Sequence, residues 1–447
     1  MRRSAWRFLF ISSDIRNRIL ISILLLILYR FVAHIPVPGI NRLAIEGVMS
    51  GSGQGQTLFG LLDLLSGGTV SNFSVLAMGV YPYITAQIIL QLLVPIIPAL
   101  QRRMEDDPRE ARKWQEKWTY YLAVPMAALQ AVGQIRLFEQ YATGQGGSIL
   151  NTPLGLNVAT MTTILTMTAG TMFAIWLGEL ISEYGIKNQG LSLIIFSGIV
   201  TRIPSNVGQL LTGDFQQVIP MAIFLVLLTL TTIFVIVYVQ EGRRNVPVMY
   251  PGRRVGNRMS MPVKGTLPLM VNMAGMIPII FAQSILTFPA VLAQFFIGSE
   301  NVTIQNIALF LQNTFGGFSD IYWILYFLMV VAFTFFYTDV LFSQQNYGEN
   351  LKRSGAQIPG VTKGAATQRY LTRVMRRITF VGAFFLGIVA IMPFLVGLIW
   401  PMGDSNTGLL LVSSSGLLIV VGVVRDLYRS IEAELKLRGY DQAVLVR

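Results

Sequence analysis

Cysteine does not occur in this chain, and histidine occurs once, as His34. Disulfides, thiolate metal sites, cysteine nucleophiles and histidine-rich metal centres are therefore excluded. Charge is also scarce. Only 13% of the 447 residues are Asp, Glu, Lys or Arg, against about 25% in soluble domains. Glycine and proline are not in excess, so disordered and collagen-like chains are excluded as well. What is abundant is hydrophobicity, at 53% of residues with a mean hydropathy of +0.58. The composition argues against an ordinary soluble enzyme. The few charges carry a net +12, and their positions decide what that means.

A bilayer span needs roughly 20 apolar residues. Such stretches fall at about 19–36, 74–97, 118–137, 157–178, 189–207, 218–239, 267–290, 320–341, 378–400 and 407–424. The expected fold class is an all-α polytopic membrane protein of about ten transmembrane helices. Lys and Arg cluster in the arm before residue 19, in 101–117, in 241–264, in 343–377 and after 424. They are missing from 138–156, 203–217, 291–320 and 398–406. Basic loops face the cytoplasm, so both termini are expected there, which requires an even number of spans. Orientation alone needs no loop as long as 241–264 or 343–377. Their length and charge suggest a docking face for an acidic partner, a nucleoprotein or anionic lipid.

Residues 79–90, GVYPYITAQIIL, resemble residues 275–286, GMIPIIFAQSIL. Gly79/Gly275, Pro82/Pro278, Ile84/Ile280, Ala86/Ala282 and Gln87/Gln283 coincide. Each segment opens a span, the second and the seventh, and a shift of five spans reverses direction in the membrane. That is the mark of an inverted repeat. It divides the chain into an arm (1–18), two five-helix halves (19–210 and 211–424) and a tail (425–447). The second half carries cytoplasmic loops at about 241–266 and 343–377. A pathway between the halves is the natural consequence.

Ionisable groups are nearly missing from the span interiors. Arg30, near the outer end of the first span, is expected to snorkel to the interface. Gln87, Gln91, Asn272 and Gln283 are the main interior polar groups, and they suit helix packing or a gate seam. A secondary transporter would need midplane charges, which makes it the weaker alternative. No catalytic motif stands out, no enzyme activity is expected, and no metal or other cofactor is implied. Residues 58–72, LFGLLDLLSGGTVSN, are apolar but too short to span. They read as a re-entrant segment, hinged at Gly67 and Gly68.

Together these segments resemble the SecY family of protein-conducting channel subunits over most of the chain. The likeness rests on DIRNRILISILLLILYRFVAHIPVPGIN, LLSGGTVSNFSVLAMGVYPYITAQIILQLL, LPLMVNMAGMIPIIFAQSI, LKRSGAQIPG and LKLRGY. The resemblance implies a pore for unfolded secretory polypeptides, with a lateral gate that releases transmembrane segments into lipid. It assigns a pore ring to Ile84, Ile88, Ile195, Ile199, Ile280 and Ile419. It assigns a plug to the segment holding Leu61, Leu62, Leu64, Leu65, Ser66, Gly67 and Gly68. Gln87, Gln91 and Asn272 are expected at the gate, with Gln87 or Gln91 facing Asn272. Arg243, Arg244, Arg253, Arg254, Arg258, Lys352, Arg353 and Lys363 are expected on the docking face. Where the family usually carries an arginine after its Pro-Gly pair, this chain has Thr362. The implied partners are the membrane subunits SecE and SecG, the motor SecA, the ribosome, signal peptides and nascent chains, and anionic lipids. The implied location is the plasma (inner) membrane, and no small-molecule substrate is implied.

Overall fold

The computed structural model describes residues 13–41, 45, 69, 73–144, 149, 157–187, 189–211, 215–251, 254–255, 258–259, 263–294, 296, 301–315, 319–399 and 404–437. The plug segment is outside them apart from Thr69.

The first half holds α1 (Ser13–Val32), α2 (Tyr81–Ile96), α3 (Pro98–Asp106), α4 (Pro108–Gly144), α5 (Val158–Tyr184) and α6 (Gly190–Leu211). The second holds α7 (Phe215–Glu241), α8 (Ile277–Gln294), α9 (Val302–Phe315), α10 (Asp320–Gln344), α11 (Tyr347–Arg353), α12 (Ala365–Ala390), α13 (Met392–Ile399) and α14 (Asp404–Leu437). Each of the ten apolar stretches contains a helix. Local chemistry sets several of the ends. Asp107 Oδ1 accepts from the Arg109 and Glu110 amides at the start of α4. Ser319 Oγ accepts from the Tyr322 amide at the start of α10. These are N-caps that satisfy otherwise orphaned donors. α4 and α14 have 37 and 34 residues. At 1.5 Å per residue they reach about 50–55 Å, well beyond a hydrocarbon core of about 30 Å.

The outward faces are apolar. On α1, Leu20, Ile23, Leu24, Ile27 and Phe31 are exposed, and on α7 so are Ile223, Val226, Leu227, Leu230 and Phe234. A belt of this extent would be insoluble in water and suits acyl chains. Inside, many hydroxyls are satisfied within their own helix, while Thr160 and Thr379 Oγ1 are buried without a partner. Thr168, Thr171, Thr232, Ser284 and Thr334 each donate to the carbonyl four residues back.

The connection at 241–264 is not a plain loop. β1 (Arg243–Tyr250) pairs antiparallel with β4 (Val263–Met270), and β2 (Arg254–Val255) pairs with β3 (Arg258–Met259). Among the described residues the helical class therefore carries two short β-ribbons. In β1, Val246 and Val248 alternate inward between exposed neighbours, the period of a half-buried strand.

The internal repeat is visible in the backbone. The expected second and seventh spans begin late, at Tyr81 and Ile277, because Gly79 and Gly275 both adopt positive φ (51° and 64°) just before them. Upstream, the Val75 amide donates to Ile35 O and the Val271 amide to Gly242 O, both at 2.9 Å. These bonds tie the end of the first span to the approach of the second, and the end of the sixth to the approach of the seventh. Each approach also rests on a helix glycine. A Cβ on Gly170 in α5 would lie 2.0 Å from Val75 O, and one on Gly382 in α12 would lie 2.6 Å from Val271 O. The fourth and ninth spans thus do the same job in the two halves.

Alanine at either glycine must push a backbone carbonyl away, an overpacking cost of about 1–3 kcal/mol. Gly170→Ala and Gly382→Ala should each lower the thermal unfolding midpoint of the detergent-purified protein. Gly422→Ala should not, since its Cβ would meet only Met276 Sδ at 3.7 Å. Equal midpoints for all three would show that the two contacts are not tight.

Candidate pore, gate and docking face

The halves meet along two seams. On one side α8 packs against α4 and α2; on the other α6 packs against α14 and α7. Between them, Ile195 and Ile199 of α6 and Ile419 of α14 share one buried cluster, against which Ile84 of α2 packs. Ile88, one turn along α2, is buried with Ala274, Phe281 and Tyr337 in an adjoining cluster that also takes Ile84. Ile280 is buried on α8 at 6% exposure, and these two clusters do not include it. Four of the six ring positions thus share one apolar centre contributed by both halves, and Ile88 lies in the adjoining cluster. Met276, Val420 and Val423 join that centre, and no local motif marks them in the sequence.

Arg30, expected to snorkel, engages a neighbouring helix. Its Nη2 donates to Ser197 O and Thr201 Oγ1, clamping α1 to α6. Ser197 and Thr201 lie two residues either side of Ile199, on a different face of α6 from Ile195 and Ile199. In an apolar setting, neighbouring acceptors serve a guanidinium better than a long reach to water.

At the expected gate, Asn272 is 2% exposed. Its Nδ2 donates at 3.0 Å to Gly275 O, three residues on. The expected bridge to Gln87 or Gln91 is therefore replaced by a local bond that fixes the Gly275 turn. Asn272 Oδ1 and Gln91 Oε1 are buried without a partner. Gln87 is half-buried on α2. Phe281 stacks edge-on against Phe333 and Tyr337, joining α8 to α10.

The two long basic loops form one body. Met249 and Gln357 exchange both backbone hydrogen bonds at 2.8 Å. Val246, Val248 and Leu269 of the ribbon share a core with Leu351, Ala356, Ile358, Leu371 and Met375. This body displays most of the expected docking residues. Arg244 and Lys363 are exposed. Lys352 and Arg353 of α11 are exposed beside Glu349, at 4.0 and 3.6 Å. Arg254 and Arg258 are in the short β2–β3 ribbon, and Arg253 lies outside the described residues. Arg243 differs from the others: it pairs with Glu241 at 2.8 Å, and Glu241 also holds Arg429 of α14 at 2.8 Å. Partial burial pushes the Glu241 carboxyl up, but bonds and charge from Arg243 and Arg429 outweigh it and hold the carboxyl below its ordinary value. A carboxylate lowered on folding stabilises above its unfolded pKa and stops doing so as pH falls through the folded value. The clamp is therefore fully formed at neutral pH. Glu434 of α14 adds a second tie, to Arg18 and Lys187 at 3.5 and 4.0 Å. Thr362 is exposed, and its carbonyl accepts from Thr367 Oγ1 at 2.8 Å.

Two helical halves related by an inverted repeat, meeting over an apolar centre and capped by a basic body, define a channel-type polytopic membrane protein. The sequence model of the SecY family matches residues 74–428. Protein translocase subunits SecY from Aquifex aeolicus and Thermotoga maritima are 37% and 36% identical, each over 98% of this chain and 98% and 96% of their own. The one from Synechococcus elongatus is 38% identical over 97% of this chain and 95% of its own. The fold is similar to two solved structures. One is described as a protein conducting channel (TM-score 0.60, 18% identity, 95% of this chain and 93% of that one). The other is a SecY protein whose plug domain is described as stabilising the closed state (TM-score 0.62, 19% identity, the same coverage). The chain belongs to the SecY family.

Leu371 is fully buried where the two loops meet. Leu371→Ala removes that shared core at about 2–5 kcal/mol. Trypsin cleavage should then rise together in the ribbon and after Lys352 or Arg353, while the spans stay protected. Independent cleavage rates would show that the loops are separate bodies.

Proposed function

We propose that this chain is the pore-forming subunit of a protein translocation channel, with Ile84, Ile88, Ile195, Ile199, Ile280 and Ile419 as its constriction. The protein is not an enzyme; it conducts, and the energy comes from a partner. One observation carries the assignment: branched aliphatic side chains from both halves converge at the seam crossing. Such a ring closes by dewetting and yields around a passing chain. The span interiors hold almost no ionisable side chain, which leaves little with which to bind a coupling ion and counts against a transporter.

In this reading residues 58–72 plug the outer side of the ring, with Gly67 and Gly68 as the hinge. The gate is the seam between α2/α4 and α8. Asn272 Oδ1 and Gln91 Oε1, both buried and unpartnered, keep that seam shallow in energy, since an unsatisfied buried acceptor costs about 1–3 kcal/mol. A signal helix replacing the seam relieves them. Secretory chains pass through the ring and transmembrane segments leave through the gate. The protein sits in the plasma membrane with both termini cytoplasmic. SecE and SecG are its membrane partners, and SecA or the ribosome docks on the basic body with help from anionic lipid.

Replacing both Ile88 and Ile199 with Ser should hydrate the constriction and raise ion leak several-fold in planar bilayers. Unchanged conductance would overturn the ring assignment. Neutralising Lys352, Arg353 and Lys363 should weaken SecA or ribosome binding and flatten its salt dependence, since the Debye length falls from about 10 Å at 0.1 M to about 3 Å at 1 M. An unchanged salt slope would remove these residues from the docking face.

A further inference from the structure

α9 follows α8 on the side opposite the basic body. It contains no Asp, Glu, Lys or Arg. Its pattern is the reverse of that of a helix in water. It buries Gln312 (6% exposed) and turns out Val302, Ile307 and Phe310 (66%, 56% and 67%). The exposed side carries two neighbouring strips, with exposed Thr303 within the first and exposed Val302 beside the second. Ile307 and Phe310 are three apart and share one strip; Asn306 and Asn313, seven apart, share the strip beside it. Both asparagines are exposed.

α9 packs mainly along α8 and touches α10. The outward surfaces of those neighbours near α9 are apolar too: Phe288, Leu292 and Phe296 at the end of α8, and Ile321, Ile324 and Leu328 at the start of α10. The apolar strip of α9 continues the lipid-facing belt of the spans. Fourteen residues of helix measure about 21 Å, too short to cross the bilayer and long enough to lie along its boundary.

We propose that α9 is an interfacial helix of the outer leaflet, with Ile307 and Phe310 among acyl chains and Asn306 and Asn313 at the headgroups. Lipid is the occupant that fits, because the strip is uncharged, narrow and continuous with a surface that already faces lipid. α8 is then anchored to the outer leaflet along the gate seam. The proposal rests on the orientation given above.

The chain has no cysteine, so single cysteines report cleanly. In native membrane vesicles, Phe310→Cys should react several-fold more slowly than Asn313→Cys with an impermeant maleimide. Phe310→Trp and Ile307→Trp should be quenched by lipids brominated on the acyl chains, after reconstitution of the full chain. Equal reactivity of the two cysteines would overturn the proposal. So would a protected Phe310→Cys with no bromolipid quenching at either tryptophan, since a protein surface would then cover the strip. Labelling of Asn313→Cys only from the cytoplasmic side, with quenching intact, would overturn the orientation while leaving the lipid contact standing. If the Phe310 variants do not fold, Ile307→Cys and Ile307→Trp make the same comparison.

Discussion

Two backbone carbonyls, Val75 O and Val271 O, press against helix faces left bare by Gly170 and Gly382. The placing of α2 and α8 depends on these contacts. In lipid, helices gain little from burying apolar surface against one another, so close backbone approach at small residues does the holding. Each contact is backed by a hydrogen bond that the same valine's backbone N–H donates to the end of the preceding span. Gly79 and Gly275 then turn the chain into α2 and α8. Ile84 and Ile88 follow within two turns of the start of α2, and Ile280 within one turn of the start of α8. The constriction is thus built at fixed distances from two equivalent joints, one in each half.

Polar groups are distributed by the same medium. Many hydroxyls bond within their own helix, and Arg30 takes neutral acceptors on α6. Paired charges gather at the helix ends on the side of the basic body, where Glu241 ties Arg243 to Arg429 and Glu434 reaches Arg18 and Lys187. These ties join the base of the ribbon, the long C-terminal helix and the start of α1. The exposed Lys352, Arg353 and Lys363 stand apart from them, so a charge lost there leaves the clamps whole. Asn272 satisfies a turn with one atom and leaves another unpaired, as Gln91 does with its Oε1.

Most of the helical layout was legible because span length and hydropathy are set by the bilayer. The repeat was legible because Gly79/Gly275 and Pro82/Pro278 serve local backbone needs, and such needs show in sequence. The ribbon was harder to see. Pro247, the glycines and the arginines of 241–264 read as loop, while the inward Val246 and Val248 make too short an alternation to stand out. α9 was missed because its apolar run is shorter than a span and its loop was read by charge alone. The six isoleucines could not be told from lipid-facing residues by composition or spacing, and only the family likeness singled them out. The turn of Arg30 toward Ser197 and Thr201 depends on tertiary neighbours that no local pattern encodes.

The central claim is that polypeptide passes between the two halves, across the seam crossing. The direct test is site-specific photocrosslinking to a secretory chain arrested in transit, with the probe placed in turn at Ile84, Ile195 and Phe234. The account predicts crosslinks from Ile84 and Ile195, at the shared apolar centre, and none from Phe234 on the outer face of α7. Crosslinks from Phe234 without any from Ile84 or Ile195 would contradict it.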